Sequence, residues 1–128
     1  MTASDHRDRH IRLCQIEQIK DGRARGFDPF NEGRDLLFVV RRGESVKGYI
    51  NRCPHQDASL PWRSNEYLNA EGSRIVCGAH GAQFDIDSGH CTLGPALGRS
   101  LSPVTIMVAD SGELHALVPE KFETTFSN

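Results

Sequence analysis

The sequence predicts an all-β protein, an antiparallel β-sandwich or barrel. Two observations carry this. Short apolar or alternating runs of strand length recur along the chain, separated by turns of Gly, Pro, Asp and Ser. No segment shows the repeat of an amphipathic helix. The 128 residues fit one domain, large enough to bury its own core.

The elements follow in order. Residues 1–9 read as a loose polar end, residues 10–118 as the folded domain and residues 119–128 as a tail without period. Ile11 to Ile16 alternates apolar and polar, the pattern of a half-buried strand. Gly22 to Gly33 is rich in glycine and charge and reads as a loop. Leu36 to Val40 and Val46 to Ile50 form a hairpin around Arg41 to Ser45. Arg74 to Val76 is a strand, and Phe84 to Cys91 is a hairpin turning at Asp87-Ser88-Gly89. Gly94 to Gly98 is a stiff Pro/Gly loop. Val104 to Val108 and Leu114 to Val118 close the fold as a last hairpin around Asp110-Ser111-Gly112.

Fifteen basic and seventeen acidic residues leave a net charge of −2, which argues against a nucleic-acid binder. No run approaches the ~18–20 apolar residues of a membrane helix. The polar segment Met1 to His10 lacks the apolar stretch of a secretory signal, so the expected location is the cytoplasm, with no membrane partner. In that compartment paired cysteines point to metal binding or catalysis before disulfides.

Cys14, Cys53, Cys77 and Cys91 are the four cysteines, and two of them sit in short motifs with histidine. The first motif is Cys53-Pro54-His55 and the second is Cys77-Gly78-Ala79-His80, with 21 residues between them, positions 56 to 76. Each segment offers one soft thiolate and one neutral imidazole, a donor set that suits zinc or an iron–sulfur centre. Zinc fingers more often pair Cys with Cys and His with His in separate segments.

This alternation resembles the Rieske [2Fe–2S] family, whose signature is Cys-x-His, then Cys-x-x-His with glycine following, here Gly81. In such a centre two cysteines hold one iron and two histidines the other. The resemblance implies one Rieske-type [2Fe–2S] cluster on Cys53, His55, Cys77 and His80, with the ligand loops as a small subdomain within residues 51–98 at one end of the fold. It covers roughly Ile11 to Val118. Leu60 matches an apolar residue behind the first loop, Phe84-Asp85 and Gly89 match the hairpin after the second, and Gly94-Pro95-Ala96 matches the proline loop that walls the cluster. The spacer is longer than the family's commonest one, with the extra residues expected in Trp62 to Gly72.

The surroundings implied for the cluster are Gln56, Ala58, Ala79, Gly81, Ala82, Phe84 and Pro95. High-potential respiratory members carry a serine and a tyrosine at the positions of Ala82 and Phe84, and a disulfide joining those of Ala58 and Ala79. Neither Ala82 nor Phe84 has a side-chain donor for the cluster sulfurs, so the resemblance implies a member near the bottom of the Rieske range, roughly −150 mV. The segment from Cys53 to Leu60 is similar to ferredoxins of ring-hydroxylating dioxygenase systems. The implied function is a one-electron carrier between a flavin reductase and a terminal oxygenase. Only 48 residues follow the signature, which leaves no room for a catalytic mononuclear iron domain, so the chain is not expected to be an enzyme by itself. Two alternatives are a small accessory subunit of a nitrite-reductase-like complex and a structural zinc module. Cys14 and Cys91 are expected in the core. His6, His10, His90 and His115 lack any spacing that suggests a ligand. Trp62 is expected to pack over the first loop.

Overall fold

A computed structural model describes residues 8–54, 60–61, 65–78 and 81–119. Nine strands lie among them: β1 (Asp8–Gln15), β2 (Ala24–Phe27), β3 (Leu37–Arg42), β4 (Ser45–Ile50), β5 (Arg74–Val76), β6 (Gln83–Asp85), β7 (Cys91–Leu93), β8 (Pro103–Val108) and β9 (Glu113–Pro119). One 3₁₀ turn, Ile16–Gln18, follows β1. Six strands form a sheet in the order β1-β9-β8-β4-β3-β2, and β5-β6-β7 form a second sheet. Every strand pairing is antiparallel. The architecture is therefore the all-β one the sequence predicts. Among the described residues no helix is long and apolar enough to cross a membrane.

β3 explains the layout. Leu37, Phe38, Val39 and Val40 are all buried, because the strand has a core on both faces. Leu37 and Val39 point into one apolar cluster with Cys14, Ile50, Leu114, Ala116 and Val118. Phe38 and Val40 point into the other, with Tyr49, Ile75, Cys53 and Cys77. A continuous apolar run was thus a strand sandwiched between two layers. Cys14 and Cys91 are buried as expected, and burial pushes the Cys14 thiol up.

Three features differ from the sequence reading. Asp8 and Arg9, assigned to the loose end, pair with Pro119 and Val118, so β1 begins earlier and β9 takes in the first residue of the expected tail. Backbone pairing needs no apolar side chain, so composition did not mark it. The expected loop Gly22 to Gly33 contains β2, which pairs with β3 from Ala24↔Val40 to Phe27↔Leu37. Its arginine and glycine masked a strand that buries only Ala24 and Phe27. The third concerns His10 and His115, for which sequence spacing suggests no shared site. The β1–β9 register brings His10 Nε2 within 2.9 Å of His115 Nδ1, and His115 Nε2 lies 2.8 Å from Glu113. Arg12 pairs with the other Glu113 oxygen.

Candidate metal centre

Both cysteines of the motifs lie just beyond strand ends. Cys53 lies three residues beyond the end of β4, and Cys77 follows β5 at once. They are 1% and 0% exposed and belong to one apolar cluster with Leu60, Ala82, Phe84 and Ala96. No disulfide involves any of the four cysteines.

The backbone between Cys77 and Ala82 is closed by two hydrogen bonds. Cys77 N–H donates to Ala82 O at 2.8 Å, and Gly81 N–H donates to Cys77 O at 2.8 Å. Gly81 sits at φ +75°, a left-handed conformation that glycine reaches without strain. That accounts physically for the glycine at this place in the motif. The second loop is tied to the first by Gly78 N–H, which donates to Leu60 O at 2.6 Å.

Asn51 anchors the first loop. It is 1% exposed, and its side-chain oxygen accepts Leu60 N–H at 2.8 Å while its Nδ2 donates to Asp35 O at 3.1 Å. One side chain thereby joins the two ends of the segment that contains Cys53.

The third wall is the turn Gly94 to Gly98. A Cβ on Gly94 would lie 2.8 Å from Ala82 Cα, so only glycine lets the turn lie this close to the second loop. Ala96 is fully buried while Pro95 and Leu97 are exposed. Arg99 Nη1 donates to Pro54 O at 2.7 Å and so joins this wall to the first loop. The β6–β7 hairpin beneath is held by Tyr49, whose hydroxyl donates to Ile86 O at 2.7 Å. Burial first, then Asp85 and Asp87, pushes that phenol up to about 12.

Of the residues singled out by sequence, the structure brings together Cys53, Cys77, Ala82 and Phe84 in the buried cluster, with Gly81 and Pro95 at its exposed margin. His55, Gln56, Ala58, Ala79, His80 and Trp62 lie outside the described residues. Asn51 and Arg99 escaped the sequence reading. An asparagine two residues before Cys53 is a loop-capping signal, since its short amide bonds nearby backbone. Arg99 carries no such local signal, because its partner is 45 positions away.

The donor chemistry fits an iron–sulfur group: two soft thiols, from separate loops tied to each other, buried in apolar surroundings. Fold and site together define a small all-β metal-centre domain. The chain belongs to the Rieske [2Fe-2S] domain family, whose model matches residues 9–117. A domain of this family carries one Rieske-type [2Fe–2S] cluster.

Solved structures agree. The ferredoxin of carbazole 1,9a-dioxygenase from Nocardioides aromaticivorans IC177 superposes with a TM-score of 0.65 at 27% identity, covering 87% of this chain and 98% of that one. A chain of the complex of reduced oxygenase and oxidized ferredoxin in carbazole 1,9a-dioxygenase gives 0.67 at 22% identity, covering 87% and 95%. A protein assigned as an NADH-dependent nitrite reductase small subunit, from Mycobacterium tuberculosis, gives 0.62 at 18%, covering 85% and 94%. No curated protein matches the sequence.

Proposed function

We propose that this chain is a Rieske-type ferredoxin of low potential, carrying single electrons from a flavin reductase to a terminal oxygenase. The observation that carries the reading is the pair Cys53 and Cys77, buried in one apolar cluster at two hydrogen-bonded loops of a Rieske domain. The ligand set is Cys53 and Cys77 with His55 and His80. When bound, the cluster takes up and releases one electron.

The chain's own residues serve that exchange in separable ways. Leu60, Ala82, Phe84 and Ala96 exclude water around the two sulfurs. Asn51 and the Gly78–Leu60 bond hold the loops in place, so the ligands need not rearrange between redox states. Ala82 and Phe84 offer no side-chain donor, which favours the oxidised form and keeps the potential low. A partner-facing end beside the loops is supported by Leu93 and Leu97, which are 57% and 65% exposed on either side of Pro95. Transient redox contacts are small and suit such a patch. The similarity to a carbazole dioxygenase ferredoxin supports an oxygenase as the acceptor.

Anaerobically purified protein tests the reading by optical and EPR spectroscopy before and after dithionite. The expected result is a red-brown protein with a rhombic signal on reduction, abolished by Cys53→Ala and by His80→Ala. A colourless, EPR-silent protein containing zinc and no acid-labile sulfide overturns it.

A further inference from the structure

We propose that Arg99 sets the electrostatics of the cluster site: its guanidinium, held against the first ligand loop, favours the reduced state and raises the reduction potential. This inference rests on the ferredoxin reading above.

The backbone of Arg99 is fixed on both sides. Its N–H donates to Ala96 O at 2.9 Å, closing the proline turn, and its carbonyl accepts Cys91 N–H at 2.9 Å, joining the turn to β7. The side chain leaves from this rigid base and reaches Pro54 O at 2.7 Å. Pro54 stands between Cys53 and His55, one proposed ligand for each iron. A permanent charge is therefore anchored at the midpoint of the first ligand motif. Guanidinium stays protonated at any working pH. Among the described residues no carboxylate forms an ion pair with Arg99.

An added electron makes the site more negative by one charge, and a nearby cation stabilises that state over the oxidised one. Arg99 is exposed, so water and salt weaken the effect without removing it. It opposes the absence of hydrogen-bond donors at Ala82 and Phe84. The apolar lining and the cation at Arg99 then act on the potential in opposite directions.

The test compares Arg99→Gln, which removes the charge and keeps a donor, with Arg99→Lys, which keeps the charge. Both are purified with the cluster and titrated under EPR with redox mediators. For Arg99→Gln the ratio of reduced to oxidised protein at a fixed solution potential should fall about threefold, the scale of one screened charge several ångströms away. Arg99→Lys should stay close to the native ratio. Loss of the cluster from the Gln variant alone would show a role in holding the loop rather than in the potential, and overturns the proposal. An intact signal with an unshifted Gln variant overturns the proposal, as does an equal change or an equal loss of the cluster in both variants. The native spectrum separates the two readings: if it is absent the ferredoxin reading fails, and if it is present with no shift in the Gln variant only the role of Arg99 fails.

Discussion

The side-chain oxygen of Asn51 accepts the backbone N–H of Leu60 at 2.8 Å, and the carbonyl of Leu60 accepts Gly78 N–H at 2.6 Å. One buried amide thus holds the first ligand loop closed and presents its end to the second. In respiratory relatives a disulfide joins the loops, whereas here the positions in question are Ala58 and Ala79. Hydrogen bonds take over part of that work. They are individually weak, so the arrangement depends on each being made.

Asn51→Ala is expected to leave Leu60 N–H buried without a partner. The cost of such a group is about 1–3 kcal/mol. Thermal melting should fall by roughly 4–12 °C, taking ~4 °C per kcal/mol for a domain of this size. The visible absorbance of the cluster should also decay faster in air than in native protein. Unchanged melting and decay together would show that the loop closes without this amide.

Tyr67 gives a second stability prediction. Its hydroxyl donates to Asp35 Oδ2 at 2.8 Å, and its ring stacks on Phe38 with centroids 4.2 Å apart. Burial first, then the Asp35 charge, pushes the phenol far above its ordinary range, so it remains a donor throughout. Tyr67→Phe keeps the stack and deletes the bond, with an expected loss of about 1–2 kcal/mol in urea unfolding. Gly26→Ala should cost more than Tyr67→Phe. Its Cβ would fall 1.9 Å from Asp35 Oδ2 and 2.5 Å from the Tyr67 hydroxyl, displacing both.

Much of this was legible in the chain. The two motifs located both cysteines, and the glycine that follows the second motif takes a left-handed conformation. The hairpin turns at Gly43-Glu44, at Asp87-Ser88 and at Ser111-Gly112 were marked by turn residues. β2 was not legible, because it buries only two side chains and shows charge elsewhere. Nor was the Arg99–Pro54 contact, since a long-range bond from an exposed side chain to a backbone carbonyl leaves no trace in local pattern. His10 and His115 show the same limit. Their meeting depends on the register of β1 against β9, which shifts by a bulge between Arg12 and Cys14.

That edge has a predictable response to acid. Arg12 first, then His115, holds the Glu113 carboxyl below its ordinary value of 4.5. A depressed folded value means the pairing contributes stability above the unfolded pKa and loses it as pH falls through the folded one. Melting temperature should therefore drop more steeply below about pH 4 in native protein than in Glu113→Gln. Glu113 is half-buried but its partner Arg12 is exposed, so the difference should shrink in high salt. Parallel curves for both proteins at low salt would remove Glu113 from the acid response.

The potential itself is open to change from the apolar lining. Ala82 and Phe84 are both 0% exposed, and the carbonyl of Ala82 accepts Cys77 N–H, so residue 82 lies against the second proposed ligand cysteine. A hydroxyl added here would offer a donor beside Cys77, and a hydrogen bond to a cluster sulfur would stabilise the added electron. Ala82→Ser is expected to raise the midpoint potential with little change in EPR shape. Phe84→Tyr should act in the same direction at a greater stability cost. Its ring lies in β6 opposite Ile75 and Cys91, where the new oxygen must displace core side chains if it finds no acceptor. Redox titration of both variants, alone and combined, gives the answer. An upward shift that grows in the double variant assigns the low potential to the missing donors. Two unshifted variants with intact spectra would mean that it has another source, and the cation at Arg99 would then be measured against a different background.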